Sequence, residues 1–429
     1  MKILVLCILL LLSEASARAA QPALPVPPIP QSFGVNIHFL DKDLDANMAY
    51  LKKAGFGWVR QDMFWETVER IQGDYDFSAY DRLAAAAQAA NIRVLFILDY
   101  SNPLYDHDQS PASPEARAAF ADFAAAAADH FAGQNVAWEI YNEPNWGFWR
   151  PEANVDQYIA LANAATFAIR KADPAALVMG PALAGPTRDA KLVPAALDFL
   201  DKVLHSRAAH QWNAITIHPY RGNDAPESIE PQLATIRRMM QSDGIDPARI
   251  PLIAGEWGYS TWLRGVDEET QAAYVVRALL EGTAARMPFT IWYDWQDDGP
   301  NIFDREFKFG LLRQGSLADA EAEDIEKPAF LAIQELAGLL RGYRFDSVIA
   351  RDDHHVFLAF KGKADRAYVL WTAEGEHTLD ITLPPGKWTA TRLLGGTEQV
   401  QSAKGRATSI LADIMPTIVK PAAQGNARP

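Results

Sequence analysis

From residue 33 to about residue 340, short apolar, β-branched runs alternate with longer stretches whose apolar residues recur at helical spacing. The runs are FGVNIHF (33–39), GWVRQDM (57–63), IRVLFILDY (92–100), VAWEIYNE (136–143), ALVMGPA (176–182), WNAITIHPY (212–220), PLIAGEWG (251–258) and FTIWYDW (289–295). Each is nearly continuous in apolar character, as parallel strands are when helices cover them. Helix starts are legible between them: Ser113 precedes Pro114, and Asp267 stands three residues before Thr270. In the Ala-rich stretch 115–131, Phe120, Phe123 and Phe131 share one helical face, which predicts a covering helix rather than low complexity. Eight such units predict an α/β chain folded as a (β/α)8 TIM barrel over residues 33–342. A doubly wound open sheet would want G-x-G-x-x-G after a strand, and none follows any of these runs.

Beyond the last barrel helix, which runs from Lys327-Pro328 to Leu340-Arg341-Gly342, the period falls to two. HVFLAF, RAYVLW, LDITL, KWTATRLL, SILADI and TIVK, with PPG and GG turns among them, predict a small C-terminal antiparallel β-sandwich over 343–422, then a tail, 423–429. Trp371 and Trp388 there read as core or interface packing rather than a sugar-binding surface. At the other end Lys2, the apolar run Ile3–Leu12 and the small residues Ala15, Ser16 and Ala17 form a signal peptide over 1–20, expected to be cut after Ala17 or Ala19. The protein is therefore expected to be exported, to the periplasm or the medium, with no stable membrane insertion after cleavage. QPALPVPPIPQ, with five prolines in eleven residues, reads as an extended linker within 21–32.

Composition narrows the chemistry. The net charge of −14 over 429 residues leaves no basic footprint for nucleic acid, and an apolar content near half excludes disorder. The single cysteine, Cys7, lies inside the signal segment, so the mature chain has no thiol for disulfides, catalysis or metal binding. In a barrel, function collects at the C-terminal ends of the strands. The fourth run ends Trp138-Glu139-Ile140-Tyr141-Asn142-Glu143-Pro144-Asn145, and the seventh ends Ala254-Gly255-Glu256-Trp257-Gly258. Two glutamates would thus face each other across the mouth, each following an apolar strand where a charge without purpose is costly.

These residues resemble the clan A glycoside hydrolases. The resemblance covers roughly residues 33 to 341; the barrel-plus-sandwich layout is like family 39, and His218-x-Tyr220 is similar to a pattern of family 5 and its neighbours. The narrower likeness, carried by WYDWQDDG, FGLL and KPAF, is to secreted bacterial glycosidases associated with exopolysaccharide gene clusters. The likeness implies that Glu143, preceded by Asn142, is the acid/base and Glu256 the nucleophile. It also implies that Arg60 hydrogen-bonds that nucleophile and that Asn142 holds a sugar 2-OH. Trp292, with Trp295 as its rival, would lie beneath the reacting sugar. Asp99-Tyr100 stand where family 5 has a histidine, and His38 is expected to supply a sugar contact instead.

A retaining reaction needs two carboxyl groups about 5–5.5 Å apart, one to attack the anomeric carbon and one to protonate the leaving oxygen. The many aromatics near strand ends (Phe64, Trp65, Tyr100, Tyr105, Trp146, Phe148, Trp149, Trp257, Tyr259, Trp262, Trp292, Tyr293, Trp295) predict an elongated cleft, with Trp146 among its substrate contacts. Asp294, Asp297 and Asp298 fit no Ca²⁺ loop and read as solvated carboxylates or contacts to sugar hydroxyls, so no metal or cofactor is expected. No G-x-S-x-G elbow points to an esterase. The expected activity is retaining, endo-acting hydrolysis of an exopolysaccharide. The alternatives are a transglycosylase and a catalytically silent, carbohydrate-binding barrel.

Overall fold

Parallel strands β1 (Phe33–Asn36), β2 (Trp58–Phe64), β3 (Arg93–Asp99), β4 (Val136–Ile140), β5 (Leu177–Ala184), β6 (Ala214–His218), β7 (Leu252–Trp257) and β8 (Thr290–Trp292) form a closed barrel. Closure comes from β8 pairing with β1, Phe33 opposite Thr290 and Val35 opposite Trp292. The computed structural model describes residues 24–422 except 41–42, 189–190, 319–320 and 353, so the expected signal peptide and C-terminal tail lie outside the described residues.

Around the strands lie α1 (Leu44–Ala54), α2 (Ser78–Ala90), α3 (Pro114–His130), α4 (Val155–Ala172), α5 (Pro194–Leu204), α6 (Glu230–Ser242), α7 (Glu268–Ala284) and α8 (Pro328–Leu339). Both predicted caps form: the Ser113 hydroxyl accepts from the Ala116 N–H at 3.0 Å, and the Asp267 carboxylate from the Thr270 N–H at 2.7 Å. Phe120, Phe123 and Phe131 are buried under α3. No helix among the described residues is long and apolar enough to cross a membrane.

The two-residue period of a strand splits the core in two. Trp58, Leu95, Ala137, Met179, Ala214, Ile253, Phe289 and Ile291 fill the base of the barrel interior. Their chain neighbours Val59, Val94, Trp138, Val178, Ile215, Leu252 and Trp292 pack outward into the layer shared with the helices. Leu24 joins the interior cluster. The described part of the stretch expected as an extended linker is packed, because its interspersed apolar side chains find sites: Ile29 is buried, its N–H donating to the Tyr343 carbonyl and its carbonyl accepting from Gly342, both at 2.8 Å.

The C-terminal unit is a six-stranded antiparallel sheet in the order Arg344–Arg351, His355–Lys361, Arg366–Thr372, Thr417–Pro421, Gly386–Arg392, Thr397–Ser402. The pair His377–Ile381 and Thr408–Ala412 covers it, with Phe357, Leu370, Trp388 and Ile410 between. Trp371 turns to the barrel and donates to Glu227 Oε1 at 2.7 Å, while Arg277 holds both Glu227 oxygens at 2.6 Å. Burial would raise the Glu227 carboxyl, but Arg277 and Trp371 hold it below its ordinary value.

Arg351 of the sandwich grips both oxygens of Glu281 on α7 at 2.9 Å. Here burial wins over the arginine and pushes Glu281 up to about 7 from 4.5. The folded state therefore binds this proton more tightly than the unfolded chain. Its contribution is complete below about pH 4.5 and lost as pH rises through about 7. Urea unfolding from pH 4 to 8 should show wild-type stability falling relative to Glu281→Gln by up to about 3 kcal/mol. A rise instead would mean that Arg351, not burial, governs this carboxyl.

Candidate active site

One step above the apolar base, the same inward positions turn polar. Arg60 follows Trp58 on β2, Glu139 follows Ala137 on β4, and His218 ends β6 beyond Ala214 and Thr216. β4 stops at Ile140, and the chain turns through left-handed backbone at Tyr141 (φ 65°) and Glu143 (φ 45°). Such conformations are costly for residues with a Cβ, and Asn145 helps to fix the turn by exchanging hydrogen bonds with the Ala184 N–H (2.8 Å) and carbonyl (2.9 Å). On β7 the register against β8 slips by one residue between Ala254 and Trp257. That bulge keeps Trp257 outward yet brings Glu256 to the mouth. Gly255 lets the strand lie close: a Cβ there would stand 3.2 Å from His218 Nε2 and 3.4 Å from Glu139 Oε1.

The guanidinium of Arg60, buried at the centre, donates from Nε to Glu139 Oε2 at 2.7 Å. Its Nη1 donates to Glu256 Oε1 at 2.5 Å and Asn36 Oδ1 at 3.1 Å, and its Nη2 to Asn142 Oδ1 at 2.9 Å. Tyr220 donates to Glu256 Oε2 at 2.8 Å, and Asn142 donates to the Tyr100 hydroxyl at 2.9 Å. His218 Nε2 faces Arg60 Nη2 at 3.5 Å. An arginine only donates, so Nε2 accepts and Nδ1 carries the proton. That proton points at Glu143 Oε1, 2.8 Å away, with Glu256 Oε2 at 3.5 Å. One oxygen of each glutamate and the His218 nitrogen all lie within 4.8 Å of one another. Burial alone would raise Glu256, but His218, Arg60 and the Tyr220 hydroxyl hold it below the ordinary carboxylate range. Burial and the adjoining Glu256 charge push Tyr220 well up, so it stays a donor.

Of the residues expected from sequence, Arg60, Asn142, Glu143, His218, Tyr220 and Glu256 converge here. His38 lies at the seam of β1 and β8: Asn36, oriented by Arg60, donates to its Nε2 at 2.9 Å, leaving Nδ1–H for Asp298 at 3.2 Å. His38, Asp294 and Asp298 cluster closely enough for a metal, but this tautomer occupies Nδ1 with a proton. Trp146 is 59% exposed on the rim. Trp292 and Trp295 do not reach the mouth. Both are buried in the outer layer, Trp292 against Tyr259 and Trp295 against Phe56 and Phe330, its indole N–H on Asn47 Oδ1 at 2.7 Å. The alternation that points Ile291 inward sends Trp292 outward and presents Tyr293, whose ring lies 5.6 Å from His38 and 6.2 Å from Tyr220.

The aromatic rim is smaller than expected. Trp65, Trp149, Trp257 and Tyr259 are buried, while Phe64, Trp146 and Phe148 are exposed, Phe148 stacked 5.5 Å from Tyr100. Nor are all the post-β8 aspartates solvated: Asp294 is buried, and Asp297 is buried between Lys327 (2.6 Å) and Lys308 (3.3 Å). Glu139 and Asn36 escaped the sequence reading, and Tyr293 was expected only as one of many rim aromatics, although counting every second residue from the interior apolar positions would have found Glu139 and singled out Tyr293. If Tyr293 lines the site and Trp292 does not, Tyr293→Ala should weaken saccharide affinity about tenfold or more. Trp292→Phe should leave affinity unchanged and lower stability by about 1–3 kcal/mol in urea titrations. The reverse pattern would return Trp292 to the site.

Known proteins resemble this chain in sequence and in fold. The sequence model of Cellulase (glycosyl hydrolase family 5) matches residues 20–299. A β-xylosidase of Geobacillus stearothermophilus is 24% identical over 348 residues, 74% of this chain and 66% of that relative, so the chain spans just under two thirds of its length. Among solved structures, a family 39 glycoside hydrolase from Bacteroides cellulosilyticus WH2 superposes with a TM-score of 0.77 at 21% identity, covering 91% of this chain and 81% of that one. A family 39 β-xylosidase from Caulobacter crescentus gives 0.64 at 18% identity, covering 92% and 97%. These structures share the fold, sandwich included, whereas the sequence model stops within the barrel. With well over half its length matched, the chain belongs to the cellulase family, glycosyl hydrolase family 5, of the clan A glycoside hydrolases.

Proposed function

We propose that the protein is a retaining glycoside hydrolase acting by double displacement on an oligo- or polysaccharide. The observation that carries this reading is the convergence of Glu143 and Glu256 at the barrel mouth, one oxygen of each lying within 4.8 Å of the other, which favours the close pair of a retaining enzyme over the wider pair of an inverting one. Glu256 attacks the anomeric carbon as Glu143 passes its proton to the leaving oxygen. Glu143 then takes a proton from water, whose oxygen displaces Glu256 from the same carbon. His218 and Tyr220 hold the two carboxylates in place. Tyr100, bonded to Asn142, stands at the mouth.

Endo action on an exopolysaccharide is the finer part of the proposal. Cavities flank the catalytic pair: one of about 750 Å³ at the β1 and β8 loops, lined by His38, Asp298 and Gln314, and one of about 450 Å³ at the β2–β4 loops, lined by Phe64, Tyr100 and Phe148. Room on two sides suits a chain passing through, and exposed Trp146 and Phe148 offer stacking faces. Release of single xylose units is the second reading, favoured by the activity named for the Geobacillus relative. The signal segment read from the sequence supports action outside the cytoplasm.

Reducing-end assays on a polysaccharide panel and on aryl xylosides separate the two. Oligosaccharide products support the endo reading, and monosaccharide alone supports the exo one. Under either, Glu256→Gln should lose at least about a thousandfold in kcat/KM, and NMR of the first product should show the substrate's own anomer. An inverted anomer would sink the mechanism. Because Glu256 must be ionised and is held low, the acid limb of kcat/KM should lie below the ordinary glutamate range.

A further inference from the structure

Glu139 is a buried carboxylate that neither proposed step consumes. It lies on β4, four residues ahead of Glu143, with Oε2 on Arg60 Nε at 2.7 Å and Oε1 without a hydrogen-bond partner. The far side of the same guanidinium holds Glu256 at 2.5 Å. No lysine or other arginine among the described residues forms an ion pair with either glutamate. Two carboxylates thus share one permanent cation, and only one of them can be the nucleophile.

We propose that Glu139 is a positioning residue that keeps Arg60 neutralised through both steps and thereby keeps Glu256 reactive; this rests on the double-displacement reading. In the resting enzyme Glu139 and Glu256 are both ionised beside Arg60, and Glu143 carries the proton. When the Glu256–carbon bond forms and the carbon–leaving-oxygen bond breaks, that proton departs with the leaving group. Glu256 becomes a neutral ester and Glu143 an anion. Arg60 has then lost one counter-charge. A buried guanidinium stripped of its partner is strongly destabilising, and Glu139 is the carboxylate still hydrogen-bonded to it. The sharing matters before the reaction as well. An Arg60 devoted to Glu256 alone would stabilise the ground-state carboxylate more than the transition state, in which that charge is being lost.

Glu139→Gln removes the charge and keeps the shape, and the amide oxygen can still accept from Arg60 Nε. The expected result is a fall of about 10- to 100-fold in kcat with KM little changed. The acid limb of kcat/KM should move to lower pH, because Arg60 is then committed to Glu256. The pre-steady-state burst with a dinitrophenyl glycoside should shrink, because the ester form is less stable. Glu139→Asp, which only withdraws the carboxylate by one methylene, should fold, retain more activity and shift the limb less in the same direction. If Glu139→Gln proves insoluble, the Glu139→Asp limb decides. Lowered thermal stability with an unmoved acid limb would make Glu139 merely structural and overturn the inference. Retained activity in Glu256→Gln would instead overturn the underlying reading, so the two failures are distinguishable.

Discussion

A single cation buried inside a closed barrel organises this molecule. Arg60 can be there only because the surrounding strand ends supply acceptors for its donors: Asn36 from β1, Glu139 and Asn142 from β4 and the turn after it, and Glu256 from β7. Guanidinium geometry is planar and forked, so each acceptor must approach along a fixed direction. The register of the barrel, the bulge on β7 and the left-handed turn after β4 are the backbone features that bring those acceptors in. Orientation then spreads outward. Asn36 can present only its amide nitrogen to His38, and His218 only its Nε2 to Arg60, which settles where the protons of both imidazoles point.

The polar site also sits on an apolar base. The interior cluster of Trp58, Leu95, Ile253 and Ile291 excludes water below the guanidinium. Hydrogen bonds to Glu256 therefore act in a medium less polarisable than solvent. On β2, β4 and β6 the positions that fill the base and the polar positions Arg60, Glu139 and His218 are the same strand faces read further along, while Glu143 and Glu256 reach the mouth by departures from that period, the turn after β4 and the bulge on β7.

Much of this was legible in the chain. Long apolar runs gave all eight strands because parallel strands buried on both faces carry no polar alternation to confuse the reading. Ser113 and Asp267 marked helix starts because a cap is a local interaction between residues three apart. Glu143 and Glu256 stood out because each follows an apolar run. What failed was facing. In a strand buried on both sides, hydrophobicity does not say which side chain looks inward, so Trp292 was placed beneath the reacting sugar and Tyr293 only among the rim aromatics. Glu139 was hidden for the same reason: within Trp138-Glu139-Ile140 nothing marks the middle residue as the one that faces Arg60. The packing of the Pro-rich segment was not legible because proline content predicts an extended backbone and is silent about what that backbone packs against.

That segment also bears on how the chain comes together. Ile29 is tied to Gly342 and Tyr343, and Leu24 seals a cluster built from seven of the strands. The first described residues thus hold a junction more than three hundred positions away, and the ring of strands closes only when β8 meets β1. Contacts so distant in sequence form late and slowly. In a nascent chain emerging in order from the ribosome, Ile29 waits for the partners of both its backbone hydrogen bonds until nearly four fifths of the chain has been made, and until β8 has been made the ring of strands stays open.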